Sequence, residues 1–470
     1  MNDSTTEVDY LVIGAGTAGM AFTDTLIGGS DHTVLMVDRR HAPGGHWNDA
    51  YPFVRLHQPS AFYGVDSRNL GNDRIDEDGH NAGLYERASG LEICAYYHSV
   101  MQDHFLPSGQ VTFMPVSEAR VDGRRVAVAS RLTGSVRDVK VRRKVVDARY
   151  LEGTIPATHR PSFEVDDDAR CVAVNDLVRV DGPADGYVII GGGKTGMDAC
   201  LWLLDHGVDP DAITWIRPRD AWFMPRATIQ PRDQIGATLI SNAATVEAAA
   251  AASSVPNLFE RLEWYGSLSR LDSSVEPTMY RGATASESEL KALRRITRVI
   301  RGRRVRRLAR DRIVFDDGDL STTGRPLYVD CTASALSTPP MRPIFEADRI
   351  TIQPILPGLP SFSAALTGYL EATRENTAEQ NVLAPASRYP VEANDWIHTR
   401  RDGMLARARW GQAPDVQGWV QRTRLNLMSG AEAFAAEPEV AEVLETTRKL
   451  SVPAVRNLMK LGLDLESVRS

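Results

Sequence analysis

Residues 8–22, VDYLVIGAGTAGMAF, decide the fold because three glycines stand between a short apolar run and the start of a helical pattern. The apolar run 10–13 predicts a buried strand of a parallel sheet, and a helix is predicted from residue 17 to about residue 27. The glycines of this G-x-G-x-x-G turn are Gly14, Gly16 and Gly19. The first permits the tight bend, the second lets the backbone approach a pyrophosphate, and the third lets the helix pack on the strand. The stretch therefore predicts a βαβ dinucleotide-binding unit.

The next predicted strand, HTVLMVD, ends on a carboxylate nineteen residues after the last glycine. Asp38 at that position would accept hydrogen bonds from the ribose hydroxyls of a bound nucleotide. The backbone N–H groups of the first helical turn, including those of Thr17 and Ala18, would face its phosphates. Arg39 follows the strand end and is a further candidate contact.

A second unit of the same kind begins at YVIIGGGKTGMDACLWLLDHG. Its turn glycines are Gly191, Gly193 and Gly196, and Lys194 and Thr195 lie inside the turn. The strand that follows, AITWIRPRD, ends on Arg217 and Arg219 instead of a carboxylate. Arginine at a strand end pairs with the 2′-phosphate of NADPH, which a carboxylate would repel. The alternative is that these arginines are solvated surface charges.

Two nucleotide sites in one chain suggest that electrons pass between two cofactors, and NADPH and FAD are the expected pair. The predicted fold is α/β, with two Rossmann-like dinucleotide-binding domains for FAD and NADPH, a helical insertion and a helical C-terminal region. The expected divisions are 1–180 for the N-terminal part of the FAD domain and 181–330 for the NADPH domain, with an insertion at about 233–300. Residues 331–390 would return to the FAD domain, and residues 391–470 would form the helical region.

Composition limits the function classes. The chain has 470 residues, 43% of them hydrophobic and 24% charged, and a formal net charge of −7, which argues against nucleic acid or an anionic membrane as the main partner. The polar, acidic beginning predicts no signal peptide, and no stretch has the apolar length of a bilayer span, so a cytoplasmic location is expected. The four scattered cysteines show no redox or zinc spacing, and no metal is expected.

The segment GGHWNDAYPFVRLHQPS, residues 44–60, carries a family resemblance. Together with the two glycine turns it is similar to the class B flavin-dependent monooxygenases, which include flavin-containing monooxygenases, Baeyer–Villiger monooxygenases and amine N-hydroxylases. Their Gly-Gly-x-Trp signature and the Tyr-Pro and Arg-Leu segments that follow are matched by Gly44, Gly45, Trp47, Tyr51, Pro52, Arg55, Leu56 and Pro59. The resemblance implies that this segment, including His46, lies along the flavin ring.

Three departures from the family pattern mark a divergent branch. The family asparagine that faces the reactive edge of the flavin falls on His57. The inter-domain fingerprint is present as LEGTIPATHRPSF, with Gly153 and His159 two residues further apart than in the family. DCTASAL replaces an Ala-Thr-Gly ending, so that Thr332 and Ala333 stand at a cofactor-facing turn without its glycine. The resemblance also implies that Ser361 and Ser363 lie in the first turn of a late helix facing the flavin.

The resemblance implies oxygenation of a small organic substrate by a flavin C4a-(hydro)peroxide, with NADPH and O2 consumed. His57 and Gln58 are the candidate hydrogen-bond donors to flavin or oxygen, and Arg55 is a candidate anchor for a phosphate or the nicotinamide. Trp47, Tyr51 and Phe53 are candidates for excluding water. Two alternatives remain: a flavoprotein reductase or oxidase that inserts no oxygen, and a flavin-binding protein without turnover. Substrate identity and assembly stay open, with a homodimer among the options.

Overall fold

The structure is a computed structural model that describes residues 6–122, 125–334, 336–434 and 437–469. Its strands are β1 (Thr6–Ile13), β2 (Val34–Val37), β3 (Val111–Met114), β4 (Ser117–Asp122), β5 (Arg125–Ser130), β6 (Val136–Asp147), β7 (Glu164–Val165), β8 (Cys171–Ala173), β9 (Tyr187–Ile190), β10 (Ile213–Ile216), β11 (Ala221–Pro225), β12 (Met279–Ala285), β13 (Arg298–Ile300), β14 (Val305–Ala309), β15 (Arg312–Phe315), β16 (Gly318–Ser321), β17 (Leu327–Asp330) and β18 (Arg349–Thr351).

The α-helices that alternate with these strands or follow them are α1 (Thr17–Gly28), α2 (Gly90–Val100), α3 (Lys194–Asp205), α4 (Ile235–Ala251), α5 (Val255–Trp264), α6 (Glu287–Leu293), α7 (Pro360–Thr373), α8 (Thr377–Leu383), α9 (Asp395–Trp410), α10 (Pro414–Arg422) and α11 (Pro438–Arg469). Within the described part of the chain, no helix combines the length and hydropathy needed to traverse a bilayer.

The first sheet has the strand order β3-β2-β1-β6-β5-β4, and β18 also pairs with β6. β1, β2, β3, β6 and β18 run parallel, while β4, β5 and β6 form an antiparallel meander. β1 is buried on both faces: Tyr10 and Val12 belong to the core that includes α1 and α7, and Leu11 and Ile13 pack against the meander. Because β18 and α7 belong to this layer, the chain returns to its first domain after the second.

The second sheet is fully parallel, with the strand order β13-β10-β9-β17-β8. α3 and α6 cover one face, and the strands β14 and β15 cover the other. β15 and β16 form a hairpin that turns at Asp317 and Gly318. The parallel βαβ units confirm the α/β fold with two Rossmann-like domains.

The region predicted as a helical insertion at 233–300 contains the helices α4, α5 and α6, but it also contains the strands β12 and β13. β12 pairs with β11, and α6 and β13 belong to the second sheet layer. The sequence of β12, MYRGATA, contains alanine and glycine, which are depleted in strands. The sequence pattern therefore does not indicate this strand, which forms through its pairing with β11. After Pro390 the chain forms α9, α10 and α11, and Trp396, Trp410 and Trp419 are buried.

Candidate functional site

The first glycine turn leaves the beginning of α1 free of side chains. Gly14 has φ +105°, and a Cβ on Gly19 would lie 1.9 Å from the Gly14 carbonyl oxygen, so both positions require glycine. The helix begins after Gly16, which has no side chain to cap it, so the first N–H groups remain available to an anion. Thr17 and Ala18 lie in this first turn.

Asp38 stabilises the first glycine turn through hydrogen bonds to its backbone. Its carboxylate accepts hydrogen bonds from the backbone N–H groups of Ala15, at 2.7 Å, and Arg40, at 2.8 Å. Arg39 points outward and pairs with Glu152. A contact that the sequence reasoning missed is Arg149, whose Cγ lies 3.4 Å from the position of a Cβ on Gly14. The sequence contains a signal for this contact. Arg149 follows the end of β6, in VVDAR, in the same way that Thr332 and Ala333 follow the end of β17, in VDCTA.

The Gly-Gly pair lies directly on the first turn. Gly44 and Gly45 have φ +113° and +59°, and a Cβ on Gly45 would lie 2.9 Å from the Cα of Gly16. Asn48 Nδ2 donates to the carbonyl oxygens of Pro43 and Gly45, which fixes this bend. The pair is therefore glycine because the backbone conformation and the approach of two backbones both exclude a side chain.

An aromatic hydroxyl network adjoins the first turn. Trp47 Nε1 donates to the Tyr63 hydroxyl at 2.8 Å, and the Tyr63 and Thr17 hydroxyls are 2.5 Å apart. The Tyr97 hydroxyl donates to Thr17 Oγ1 at 3.0 Å. The ring of His46 is exposed, with its centroid 5.0 Å from that of Trp47. Tyr63 and Tyr97 were not singled out in the sequence, since neither lies in a recognisable motif.

The second glycine turn repeats the geometry of the first. Gly191 has φ +136°, and a Cβ on Gly196 would lie 2.2 Å from the Gly191 carbonyl oxygen. No atom of the described residues lies within 4 Å of a Cβ placed on Gly193, so this glycine faces open space at the start of α3. Lys194 points into the protein, where it pairs with Asp198 and lies 3.9 Å from Glu289.

The two strand-end arginines occupy different positions. Arg217 is buried, contacts Gly192 through its side chain and lies 3.1 Å from Asp220, with its guanidinium stacked on Trp215. Burial lowers the pKa of Arg217. Arg219 turns away and pairs with Glu392 and Thr278. Of the two side chains, only that of Arg217 lies against the glycine turn.

Thr332 and Ala333 follow β17 beside the second turn, not the first. A Cβ on Gly191 would lie 2.6 Å from the carbonyl oxygen of Cys331. Thr332 donates from its N–H and its hydroxyl to Asp330, and His159 Nε2 lies 3.1 Å from the Thr332 hydroxyl. The divergent fingerprint histidine and the divergent strand end thus meet in space.

The segment 44–58 spans the distance between the two turns. After Gly45 on the first turn, the Tyr51 hydroxyl donates to Asp198 in α3 at 2.7 Å, and the Phe53 ring stacks on Trp202 of α3 at 5.4 Å. His57 comes next and is half-buried, and the charges of Lys194 and Asp198 act on its ring. Tyr51 and Phe53 therefore pack against the second domain.

A buried cluster of charges surrounds His57. Glu289 lies 2.6 Å from Arg226 and 3.5 Å from Arg87, and Arg226 also donates to the backbone carbonyl of His57. Burial raises the pKa of Glu289, but the Lys194, Arg226 and Arg87 cations outweigh it and lower that pKa to about 2. Burial and then the Lys194 cation lower the pKa of His57 to about 4, so His57 is neutral at physiological pH.

The other predicted site residues are placed as follows. Gln58 lines a cavity on the side of α4 and α9. Arg55 is exposed and donates to the backbone carbonyl of Arg87 at 2.9 Å. Ser361 and Ser363 lie in the first turn of α7, where their hydroxyl oxygens accept from the N–H groups of Gly64 and Ile355.

Comparison with solved structures supports the fold. The chain resembles a solved structure described as oxidized steroid monooxygenase bound to NADP, with a TM-score of 0.51 and 14% sequence identity over 78% of this chain and 85% of that chain. This likeness agrees with the fold of two dinucleotide-binding domains. No family model matches the chain.

Two mycobacterial relatives give the family. The chain is 46% identical over 430 residues to Uncharacterized protein Rv2000 of Mycobacterium tuberculosis and to Uncharacterized protein Mb2023 of Mycobacterium bovis. The match covers 90% of this chain and 78% of each relative. The chain belongs to the family of these mycobacterial proteins.

Proposed function

We propose that the chain is an FAD-containing, NADPH- and O2-dependent monooxygenase that oxygenates a small organic substrate at nitrogen, at sulfur or in a Baeyer–Villiger reaction. The observation that carries the proposal is the course of residues 44–58. This segment contacts the first glycine turn through Gly45, contacts α3 through Tyr51, and contacts Arg226 through the backbone carbonyl of His57. One continuous segment thus runs from the first glycine turn to the second, which would bring two bound nucleotides to a common junction.

The residues present at the first turn fit FAD. The backbone cradle of Gly14, Gly16 and Gly19 would hold the pyrophosphate at the uncapped start of α1. Asp38 and Arg39 stand at the end of β2, where the adenosine ribose binds in such folds. Trp47 and His46 follow the Gly-Gly pair and would lie along a bound flavin.

The residues at the second turn fit NADPH. Gly193 faces open space at the uncapped start of α3, and Thr195 follows it in the first helical turn. Arg217, which lies against Gly192, supplies a cation at the strand end for a 2′-phosphate. Thr332 and Ala333 border the same turn across Gly191. The fold of the solved NADP-bound steroid monooxygenase supports this assignment.

The protein's own contribution is to bind, orient and exclude water. Bound together, the two nucleotides supply the redox chemistry, with NADPH giving electrons that the flavin passes to oxygen. His57, being neutral, has one ring nitrogen to donate and one to accept a hydrogen bond at the junction of the two domains. Gln58 offers an amide to the adjoining cavity. Trp47 and Tyr63 bury polar hydroxyl and indole groups against each other and limit the entry of water.

The test is to purify the full chain and measure its flavin spectrum, NADPH oxidation and O2 consumption, with isotopically labelled oxygen and a panel of amines, sulfides and ketones. The expected result is a bound flavin that NADPH bleaches, and one labelled oxygen atom in a product. Hydrogen peroxide formation with no labelled product from any substrate would favour a reductase or oxidase. A bound flavin that NADPH does not bleach would favour a binding protein without turnover.

A further inference from the structure

A cavity of about 190 Å³ adjoins the segment that carries His57. Gln58 lines one side, and residues 356–359, which lead into α7, line another. The remaining wall comes from α4, β12 and α9. Since a water occupies about 10–15 Å³ of such volume, the cavity has room for a small organic molecule and not merely for a single ion.

Two arginines of α9 line this cavity without a carboxylate partner. Arg400 and Arg407 are half-buried, seven residues apart, and therefore on one face of the helix. Among the residues that the structure describes, no carboxylate oxygen lies within 4.0 Å of either guanidinium. Their recorded acceptors are neutral: Asn242 Oδ1 for Arg400, at 2.7 Å, and the backbone carbonyl of Gly403 for Arg407, at 3.3 Å.

Burial of these guanidinium groups without an anion destabilises their charged form. Burial lowers the pKa of both guanidinium groups to about 10, and Arg407 further disfavours the charge on Arg400. The Nε atoms of Arg400 and of Arg281, a third arginine of the cavity wall, are buried and have no acceptor among the described residues. The neighbouring Arg401, outside the cavity, is by contrast paired with Asp402. Guanidinium groups held in this way are suited to a planar carboxylate.

The rest of the lining suits an amphipathic molecule. Thr238, Ser241 and Thr245 of α4 face the cavity, at helical spacing, with hydroxyl-bearing side chains. Met224, Leu268 and Trp396 provide apolar surface. A ligand with an anionic end and an apolar body would match both parts.

We propose that this cavity binds a small organic carboxylate, held at its charged end by Arg400 and Arg407, with its uncharged part extending toward Gln58. That this carboxylate is the substrate rests on the proposed monooxygenase function, and the substrate would then be an organic acid. Binding itself does not require turnover, so it is tested without NADPH.

The experiment measures the dissociation constants of hexanoate, benzoate and phenylacetate, each beside its neutral amide, by calorimetry on the purified full chain. We expect at least one acid to bind about tenfold more tightly than its amide, as a charge-assisted hydrogen bond implies. Arg400→Met and Arg407→Met should each weaken that acid about tenfold while changing the affinity of the amide less than about twofold. Arg401→Met is the matched control on the same helix and should leave the acid's affinity unchanged.

Equal affinities for every acid and its amide, or no measurable binding of any acid, would overturn the proposal. Loss of acid binding in Arg401→Met to the same degree as in Arg400→Met would overturn it as well, because the effect would then be a general loss of charge. Arg400→Lys keeps the cation and should retain part of the preference for the acid. A chain that binds acids selectively but incorporates no labelled oxygen would refute the monooxygenase function and leave this inference standing.

Discussion

At the scale of single residues, the protonation state of His57 is the most specific expectation. Burial and the Lys194 cation lower its pKa to about 4, so its ring should show no titration between pH 5.5 and 8, which brackets the usual histidine pKa of about 6.5. Lys194→Met removes the neighbouring cation and should raise the pKa of His57. NMR titration of the ring protons, with His57→Gln to assign them, measures both values.

A His57 midpoint near 6.5 in the unmodified protein would contradict the placement of the ring beside Lys194. The same pKa in the unmodified protein and in Lys194→Met would show that the cation does not act on it. A shift in Lys194→Met without any change in the flavin spectrum would identify the effect as electrostatic and local.

Arg217 carries the second expectation at this scale. Arg217→Ala should raise KM for NADPH about tenfold or more, because it would remove a charge-assisted hydrogen bond to the 2′-phosphate. It should leave KM for NADH nearly unchanged. Arg219→Ala is the matched control, because Arg219 is already engaged by Glu392 and Thr278 and lies away from the turn. Steady-state kinetics with both nucleotides provide the measurement. Parallel changes in the two KM values would place the 2′-phosphate elsewhere.

At the scale of elements, the two glycines that flank the first residues of α3 should respond in opposite ways to alanine. Gly193 adopts φ −85° and its Cβ would project into open space, so Gly193→Ala should fold normally and weaken NADPH binding by obstructing the phosphate. Gly196→Ala would place a Cβ 2.2 Å from the Gly191 carbonyl oxygen, and we expect it to lower the melting temperature. Thermal unfolding and nucleotide titration separate the two effects. A destabilised Gly193→Ala with normal affinity would contradict this reading.

The elements also show what the sequence can predict. The glycine turns, the strand before each and the carboxylate of Asp38 were predicted because each depends on residues close in sequence. β12 was missed since its strand conformation depends on pairing with β11, more than fifty residues earlier, and not on its own composition. The pairing of Lys194 with Asp198 was accessible from their i,i+4 spacing. The spacing of Arg400 and Arg407 was equally visible, but only the cavity distinguishes them from other helical arginines.

At the scale of the whole molecule, the unpredicted part of the site consists of contacts between distant segments. Tyr51 and Asp198 are 147 residues apart in sequence, and Arg226 and Glu289 are 63 apart. Neither pair has a local pattern: Tyr51 reaches Asp198 because residues 44–58 dock on α3, and Arg226 reaches Glu289 because the end of β11 packs against α6. The family resemblance indicated that residues 44–58 face a cofactor, but it contained no information on the charged cluster beneath His57.

Among the residues at this junction, Glu289 is the one whose substitution we expect to affect stability most. It caps α6 through Ser286 and is buried against Arg226, Arg87 and Lys194, so Glu289→Gln keeps an amide suited to the cap and removes only the charge. Leaving buried cations unpaired should cost roughly 3–5 kcal/mol of unfolding free energy at pH 7. Glu287→Gln on the same helix is the control, since its pair with Arg294 is exposed and should contribute at most about 1 kcal/mol.

The pH dependence of the effect of Glu289→Gln on stability shows whether Glu289 stabilises the protein through its charge or through its packing. Because the pKa of Glu289 falls from 4.5 to about 2 on folding, its charge stabilises the protein fully above pH 4.5, and this contribution is lost as the pH falls toward 2. The difference in unfolding free energy between the unmodified protein and Glu289→Gln should therefore be large at pH 7 and shrink steadily below pH 4.5. Denaturant unfolding at a series of pH values measures it. A difference that stays constant with pH would mean that Glu289 acts through its shape, and the junction around His57 would then be held by packing instead of charge.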